Sequence, residues 1–368
     1  MNPTNAEKTN SKARDTRLDL IKSISICLVL LLHIRPVRII SEDTSSYSGI
    51  ANFILDQIYL ISTPLAVPLF ILTSLFLLIT KLQSTGIEYC INRCKRLFEI
   101  FIFWTTIHIS IYYCISFIQS LWSYTPFSWY IPNLQIYQLL FGTSPALPIV
   151  GDSVFYFIVV LILLTLITYY FLKIKSYEIK NNIALSVIIL SLIYFEVLNI
   201  TGTYIAYWRL DNFIVYIPIA YFLVDQQTKG ISKKHILLLY LCFFIFGCQD
   251  VLLRSYNINV GLYGRISVAC GTLAVFASCI NLNSLKPNKV VNFLSKFSLG
   301  IFAVHKYYLY ILTLATLNLF KILGWSNSIL IMGLPIDMPA IFTTFPTIFF
   351  TLATVHLLNY SPLQKFVK

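Results

Sequence analysis

The sequence reads as an all-α, polytopic membrane protein of about ten transmembrane helices, on three grounds. Of its 368 residues, 57% are hydrophobic and only 11% charged, where a soluble domain carries about 25% charged residues. Apolar runs long enough to cross a bilayer recur down nearly the whole chain. Lysine and arginine also alternate in density between successive connections. Nineteen of the 27 fall on the side of the N-terminus, six (Arg35, Arg38, Arg209, Arg254, Arg265 and Lys321) fall on the other, and Lys22 and Lys306 lie within spans. Basic residues gather on the cytoplasmic face, so both termini are expected there, in the cell (inner or plasma) membrane.

The expected order begins with a polar tail, residues 1–17. A transmembrane domain over 18–360 and a short cytoplasmic tail, 361–368, follow. The spans fall near 18–39, 53–79, 97–118, 153–172, 183–200, 205–224, 235–253, 262–282, 299–320 and 340–359. Pro64 and Pro68 should kink or divide the second. The fifth and sixth, separated only by 199–204, should form a tight hairpin. The first apolar run is too long for a cleaved signal, and no small-residue cleavage site follows it. The eight cysteines fall mostly inside apolar runs, without zinc or redox spacing. No metal is implied. The net charge of +12 follows from topology and anionic lipid rather than from nucleic acid.

The first span carries the chemistry that an apolar helix least accommodates. Lys22 and His33 are eleven helical steps apart, hence on one stripe and about 16 Å apart in depth, and Asp19 lies within about 40° of that line. An intramembrane ionisable group is a functional hypothesis by default. Each residue also has a plainer reading. His33 could be an interhelical contact, Lys22 could snorkel to the headgroups, and Asp19 could pair with Arg17 or Lys22 or favour the helix N-terminus. Glu196, Asp211 and Asp152 are expected near the outer face, where capping explains Asp152 as well as catalysis does. His305 is expected nearer the inner face, as a positional residue, and His108 as an interhelical contact. The long segment near 119–152, with Trp122 and Trp129, is a candidate sugar-stacking surface, although interfacial aromatics also explain it.

Several stretches together resemble the acyltransferase 3 family of integral membrane O-acyltransferases that modify bacterial surface glycans. Arg17-Leu18-Asp19-Leu20-Ile21-Lys22, ten residues, then His33 is similar to the family's opening signature, where the cation before the gap is usually arginine. Val67-Pro68-Leu69-Phe70-Ile71-Leu72-Thr73-Ser74 resembles its VPLFFxxSG segment, with Leu75 in place of glycine. Arg93-Cys94-Lys95-Arg96 matches its Arg-x-x-Arg motif. Phe155-Tyr156-Phe157 sits where HLWFL is common, with Ser153 at the usual histidine. Ser298-Leu299-Gly300-Ile301-Phe302-Ala303-Val304-His305 resembles SxGIYLxH. The landmarks run in order over residues 17 to 320.

The resemblance implies transfer of an acyl group, most commonly acetyl, from cytoplasmic acyl-CoA to a sugar hydroxyl of a cell-surface polysaccharide, lipopolysaccharide or lipid-linked saccharide. Arg93 and Arg96, with Lys22, would then dock the donor's phosphates, although the same cations also serve as positive-inside anchors. His33 would be general base or, less favoured, itself acylated, with Asp19 on its stripe. No carboxylate on the first span lies near His33 in depth, so an orienting partner must come from another span. Two other classes fit a polytopic chain: a secondary transporter or glycan exporter, against which no inverted repeat is visible, and a non-catalytic envelope assembly protein.

Overall fold

The computed structural model describes residues 15–40, 47–123, 155–203, 206–226, 230–282, 286, 288–331 and 334–368. Asp152, Ser153, most of the tryptophan-bearing segment and most of the N-terminal tail lie outside them. Helix α1 spans Thr16–Ile34. Asp15 caps it, its carboxylate accepting the backbone N–H of Arg17 at 3.0 Å and thereby satisfying one of the orphan donors of the first turn. The helix stops at Arg35, in the left-handed region at φ 44°, because Pro36 excludes helical backbone at the preceding residue. It therefore ends well short of residue 39, and His33 stands in its last turn.

The second expected span is divided as its prolines require. Helix α2 (Tyr47–Ser62) gives way to a 3-10 turn at Thr63–Leu65 around Pro64, and α3 (Ala66–Leu82) continues. The remaining helices are α4 (Ile87–Ser123), α5 (Tyr156–Leu172), α6 (Tyr177–Ile200), α7 (Tyr216–Asp225), α8 (Lys233–Ser255) and α9 (Ile266–Ile280), followed by α10 (Lys289–Lys296), α11 (Ser298–Leu323), α12 (Met338–Leu358) and α13 (Gln364–Val367). Every expected span thus meets a helix. Among the described residues, six helical stretches are long and apolar enough to cross a membrane: 47–82, 87–118, 177–200, 233–255, 298–323 and 338–358. Helices α5 and α9 are apolar but shorter, and α1 carries Arg17, Asp19 and Lys22.

The link between α6 and α7 corrects the expected tight hairpin. Among the described residues between Ile200 and Tyr216 the one helical stretch is a 3-10 turn at Leu210–Asn212, and α7 is only ten residues long. Much of this link is buried, including Ala206, Trp208, Leu210, Phe213 and Val215. Buried irregular backbone needs internal hydrogen-bond partners. Asn212 supplies them, donating to the carbonyls of Ala206 (2.8 Å) and Arg209 (3.2 Å). Asn199 does the same for the segment before α9, accepting from Gly261 N (3.2 Å) and donating to Gly264 O (3.3 Å). Neither asparagine announces this role in the sequence.

Helix α1 is the hub, packing chiefly on α3, α10, α11 and α9. Two features depart from bare helices. Strands β1 (Ser328–Ile331) and β2 (Leu334–Asp337) pair antiparallel, Ser328 opposite Asp337. Residues 38–40 join them through Asp337 N to Arg38 O (2.9 Å) and Ile40 N to Pro335 O (2.8 Å), fastening the exit of α1 to the α11–α12 connection. The last residues also pack instead of trailing. Trp104 Nε1 donates to Phe366 O at 2.9 Å, and a Cβ on Gly300 would lie 2.9 Å from Val367 Cβ. Glycine at 300 is what lets α13 close against α11.

Candidate active site

His33 lines a cavity of about 350 Å³. Val29, Leu32, His33 and Arg35 of α1 form one side of it. Leu60 and Val67 come from the two sides of the proline break, Tyr156 from α5, and Phe302 and Lys306 from α11, where they stand one turn apart. The irregular segments complete the wall with Tyr207, Leu262 and Tyr263. Tyr156 donates its hydroxyl to that of Tyr263 at 2.9 Å, and its ring meets Tyr207 edge-on at 5.1 Å. No carboxylate lies among these lining residues. The result is a small apolar and aromatic chamber with a histidine and two cations on its wall, within the size range of ligand sites.

His305 comes next to His33. The two ring centroids are 5.1 Å apart with planes tilted by 39°. The sequence reading set His305 nearer the inner face, from its position early in its span. Packing of α11 on α1 brings it to the last turn of α1 instead. It is fully buried, and its Nδ1 lies 3.1 Å from Ile301 O. His108 is an interhelical contact as expected, with Nδ1 2.9 Å from the hydroxyl of Tyr307.

The other residues of the opening stripe are elsewhere. Asp19 is buried and accepts the Ser295 hydroxyl at 2.7 Å, and the Ser23 hydroxyl donates to Val291 O at 2.8 Å. These bonds pin α10 to α1. Asp19 is fourteen residues from His33, about 21 Å along the helix, so the structure does not bring the two together. Lys22, three residues further on, also lies outside the chamber.

Arg93 and Arg96 point differently. Arg93 turns inward, with Nη2 2.5 Å from Ser74 Oγ and Nε 3.3 Å from Thr165 Oγ1. Two separately read sequence landmarks, the one ending at Ser74 and the one beginning at Arg93, therefore meet in space. Arg96 is exposed and lines a second cavity of about 350 Å³ with Asn92, Lys95, Glu99, Lys365 and Phe366. A third cavity, about 840 Å³, opens at the N-terminal end of α1, where Arg17, Lys233, Ser232 and Asn281 line it. It contains no histidine. Among the described residues, no cluster of three or more His, Cys, Asp or Glu side chains is placed to hold a metal ion.

The polar residues bet on near the far end serve the scaffold. Glu196 accepts from Gln249 across α6 and α8. Asp211 is held by Arg209 and by the Tyr194 hydroxyl, the latter at 2.8 Å. Sequence reasoning missed a buried ion pair, Asp250 with Arg265 at 3.1 Å. The Arg265 guanidinium also donates to Leu60 O (2.8 Å) and Leu262 O (3.0 Å), both in residues of the chamber wall. An aspartate inside the apolar run of α8 was the available signal.

A family model described as an acyltransferase domain matches residues 15–358. Neither the curated proteins nor the solved structures yield a match.

Proposed function

The chain belongs to the acyltransferase 3 family, and from that premise we propose that it moves an acyl group, acetyl first among the choices, from cytoplasmic acyl-CoA to a sugar hydroxyl of a cell-surface polysaccharide or lipopolysaccharide. The observation that carries this reading is His33 on the wall of a small, partly enclosed aromatic chamber, in a family of acyltransferases. Alcohol attack on a thioester needs a base beside the hydroxyl and shelter from competing water. His33 is the side chain for that base. It takes the hydroxyl proton as the oxygen attacks the acyl carbon, and returns it to the departing thiolate. Tyr156, Tyr207 and Tyr263 offer ring faces and hydroxyls to a sugar. The cell membrane is the proposed location, with lipids around the helical faces.

Donor docking belongs in this proposal to the second cavity, between the first turns of α4 and the C-terminal residues. There Arg96, with Lys95 and Lys365, offers exposed cations to the phosphates of acyl-CoA. Arg93 is held by Ser74 and Thr165, which makes it the anchor that fixes the start of α4. Lys22, on α1 outside the chamber, supplies a further charge to the donor. Arg96→Ala is therefore expected to raise KM for acyl-CoA by about 10-fold, the scale of one charge-assisted phosphate contact, with kcat unchanged. Steady-state kinetics in membranes would show it, and an unchanged KM would remove Arg96 from the dock.

Mass spectrometry of the surface polysaccharide, from cells with and without the gene, tests the reaction itself. A mass difference of one acyl group on the repeat is expected, and its size names the acyl group. Identical glycans, with substrate uptake or export altered instead, would move the chain to the transporter class.

A further inference from the structure

His33 needs one ring nitrogen free for the hydroxyl and the other held, because the held nitrogen fixes tautomer and orientation. Among the described residues no carboxylate is in place to do this. On another helix, the ring of His305 stands beside that of His33. Ile301 O can only accept, so the 3.1 Å contact with it puts the hydrogen on Nδ1 of His305. In the neutral ring Nε2 is then an acceptor, and it is buried with no hydrogen-bond partner among the described residues. Buried acceptors are seldom left so. The neighbouring ring is that of His33, with centroids 5.1 Å apart, about the separation of two imidazoles joined nitrogen to nitrogen by a bond of about 3 Å. The rings are in contact at a 39° tilt, and the terminal torsion of a histidine is soft. Catalytic hydrogen bonds commonly tighten only when substrate is bound.

We infer that His305 is the positioning residue of His33: its Nε2 accepts the N–H of His33, leaving the other His33 nitrogen to face the chamber. The inference rests on the acyl-transfer reading above. In the step itself, the acceptor O–H bond breaks and its proton goes to His33. The oxygen forms a bond to the acyl carbon, the C–S bond breaks, and the thiolate leaves with the proton from His33. His305 stays neutral throughout and accepts a hydrogen bond from the imidazolium that His33 briefly becomes. Lys306 and Arg35, which share the chamber, are cations and cannot accept that hydrogen bond.

Transfer from acetyl-CoA to the isolated acceptor glycan, measured in membranes containing the full chain, tests this with two replacements. His305→Phe keeps a ring without an acceptor, and His305→Gln carries an acceptor at the reach of Nε2. Phe is expected to lower kcat by about 10²-fold, the scale of a misplaced catalytic group, with KM for acetyl-CoA unchanged. Gln should recover most of that loss. Adding His305→Phe to His33→Ala should cost nothing further, because the first acts only through the second. Wild-type kcat in His305→Phe, a further loss on top of His33→Ala, or Gln no better than Phe would each overturn the inference. If His305→Phe does not accumulate, His305→Asn, whose shorter amide cannot reach as far as Nε2, carries the same expectation and the same refutation. No transfer by the wild-type protein would instead overturn the acyltransferase reading, and the inference with it.

Discussion

His33→Ala is expected to lower kcat for acyl transfer by about 10²–10⁴-fold, the contribution of a positioned general base. The change should fall on kcat far more than on KM for the donor, because His33 sits on the chamber wall while the exposed cations that would meet the donor's phosphates line a separate cavity. The protein should remain folded. His33 lies in the last turn of α1, whereas the bonds that pin α10 to α1 are made by Asp19 and Ser23 near its start. Its own aromatic contact is the one with His305. Measurement requires parallel quantities of wild type and variant in membranes, with thiol release and acylated product followed separately. Thiol release without product would show that water replaces the sugar, so the base would still be present elsewhere. Retained transfer would remove His33 from catalysis and return it to the interhelical role that a lone histidine often has.

What the sequence makes legible here is local. Apolar runs locate the six helical stretches long enough to cross, Pro64 marks the break, and the polar intrusion in α1 draws attention to His33. All of these are written within a few turns of chain, where periodicity and backbone chemistry act directly. The chamber is not local. Its wall is drawn from α1, α2, α3, α5, α11 and two irregular segments, and His33 meets His305 only after 271 residues of intervening chain. An amphipathic stripe shows that a residue faces protein, but not which helix supplies the neighbour.

The mistaken hairpin has a related cause. Residues 205–215 are apolar enough to read as helix, and hydropathy does not distinguish a spanning helix from buried irregular backbone stitched together by Asn199 and Asn212. Asp19 illustrates the converse. Its angular position beside Lys22 and His33 is correct, but depth separates it from His33, and its partner, Ser295, comes from α10.

Arg265→Met is expected to destabilise the protein by about 3–5 kcal/mol, the cost of removing one partner from a buried ion pair. Arg265 is fully buried. Beyond Asp250 it serves two backbone carbonyls, those of Leu60 and Leu262, in α2 just before the proline break and in the segment leading into α9. Removing it leaves a buried carboxylate with Ser267 as its remaining described partner and two carbonyls without this donor. Asp250→Asn should be milder, because the guanidinium keeps both carbonyls and an amide oxygen can still accept from it. The double replacement Asp250→Leu with Arg265→Met should recover part of the loss, since it removes both charges but restores neither carbonyl bond. Unfolding of purified protein in detergent orders the three. Because Leu60 and Leu262 line the chamber, Arg265→Met protein that still folds should also transfer more slowly than Asp250→Asn protein. Equal stability of the two single variants would show that the carbonyl bonds contribute little.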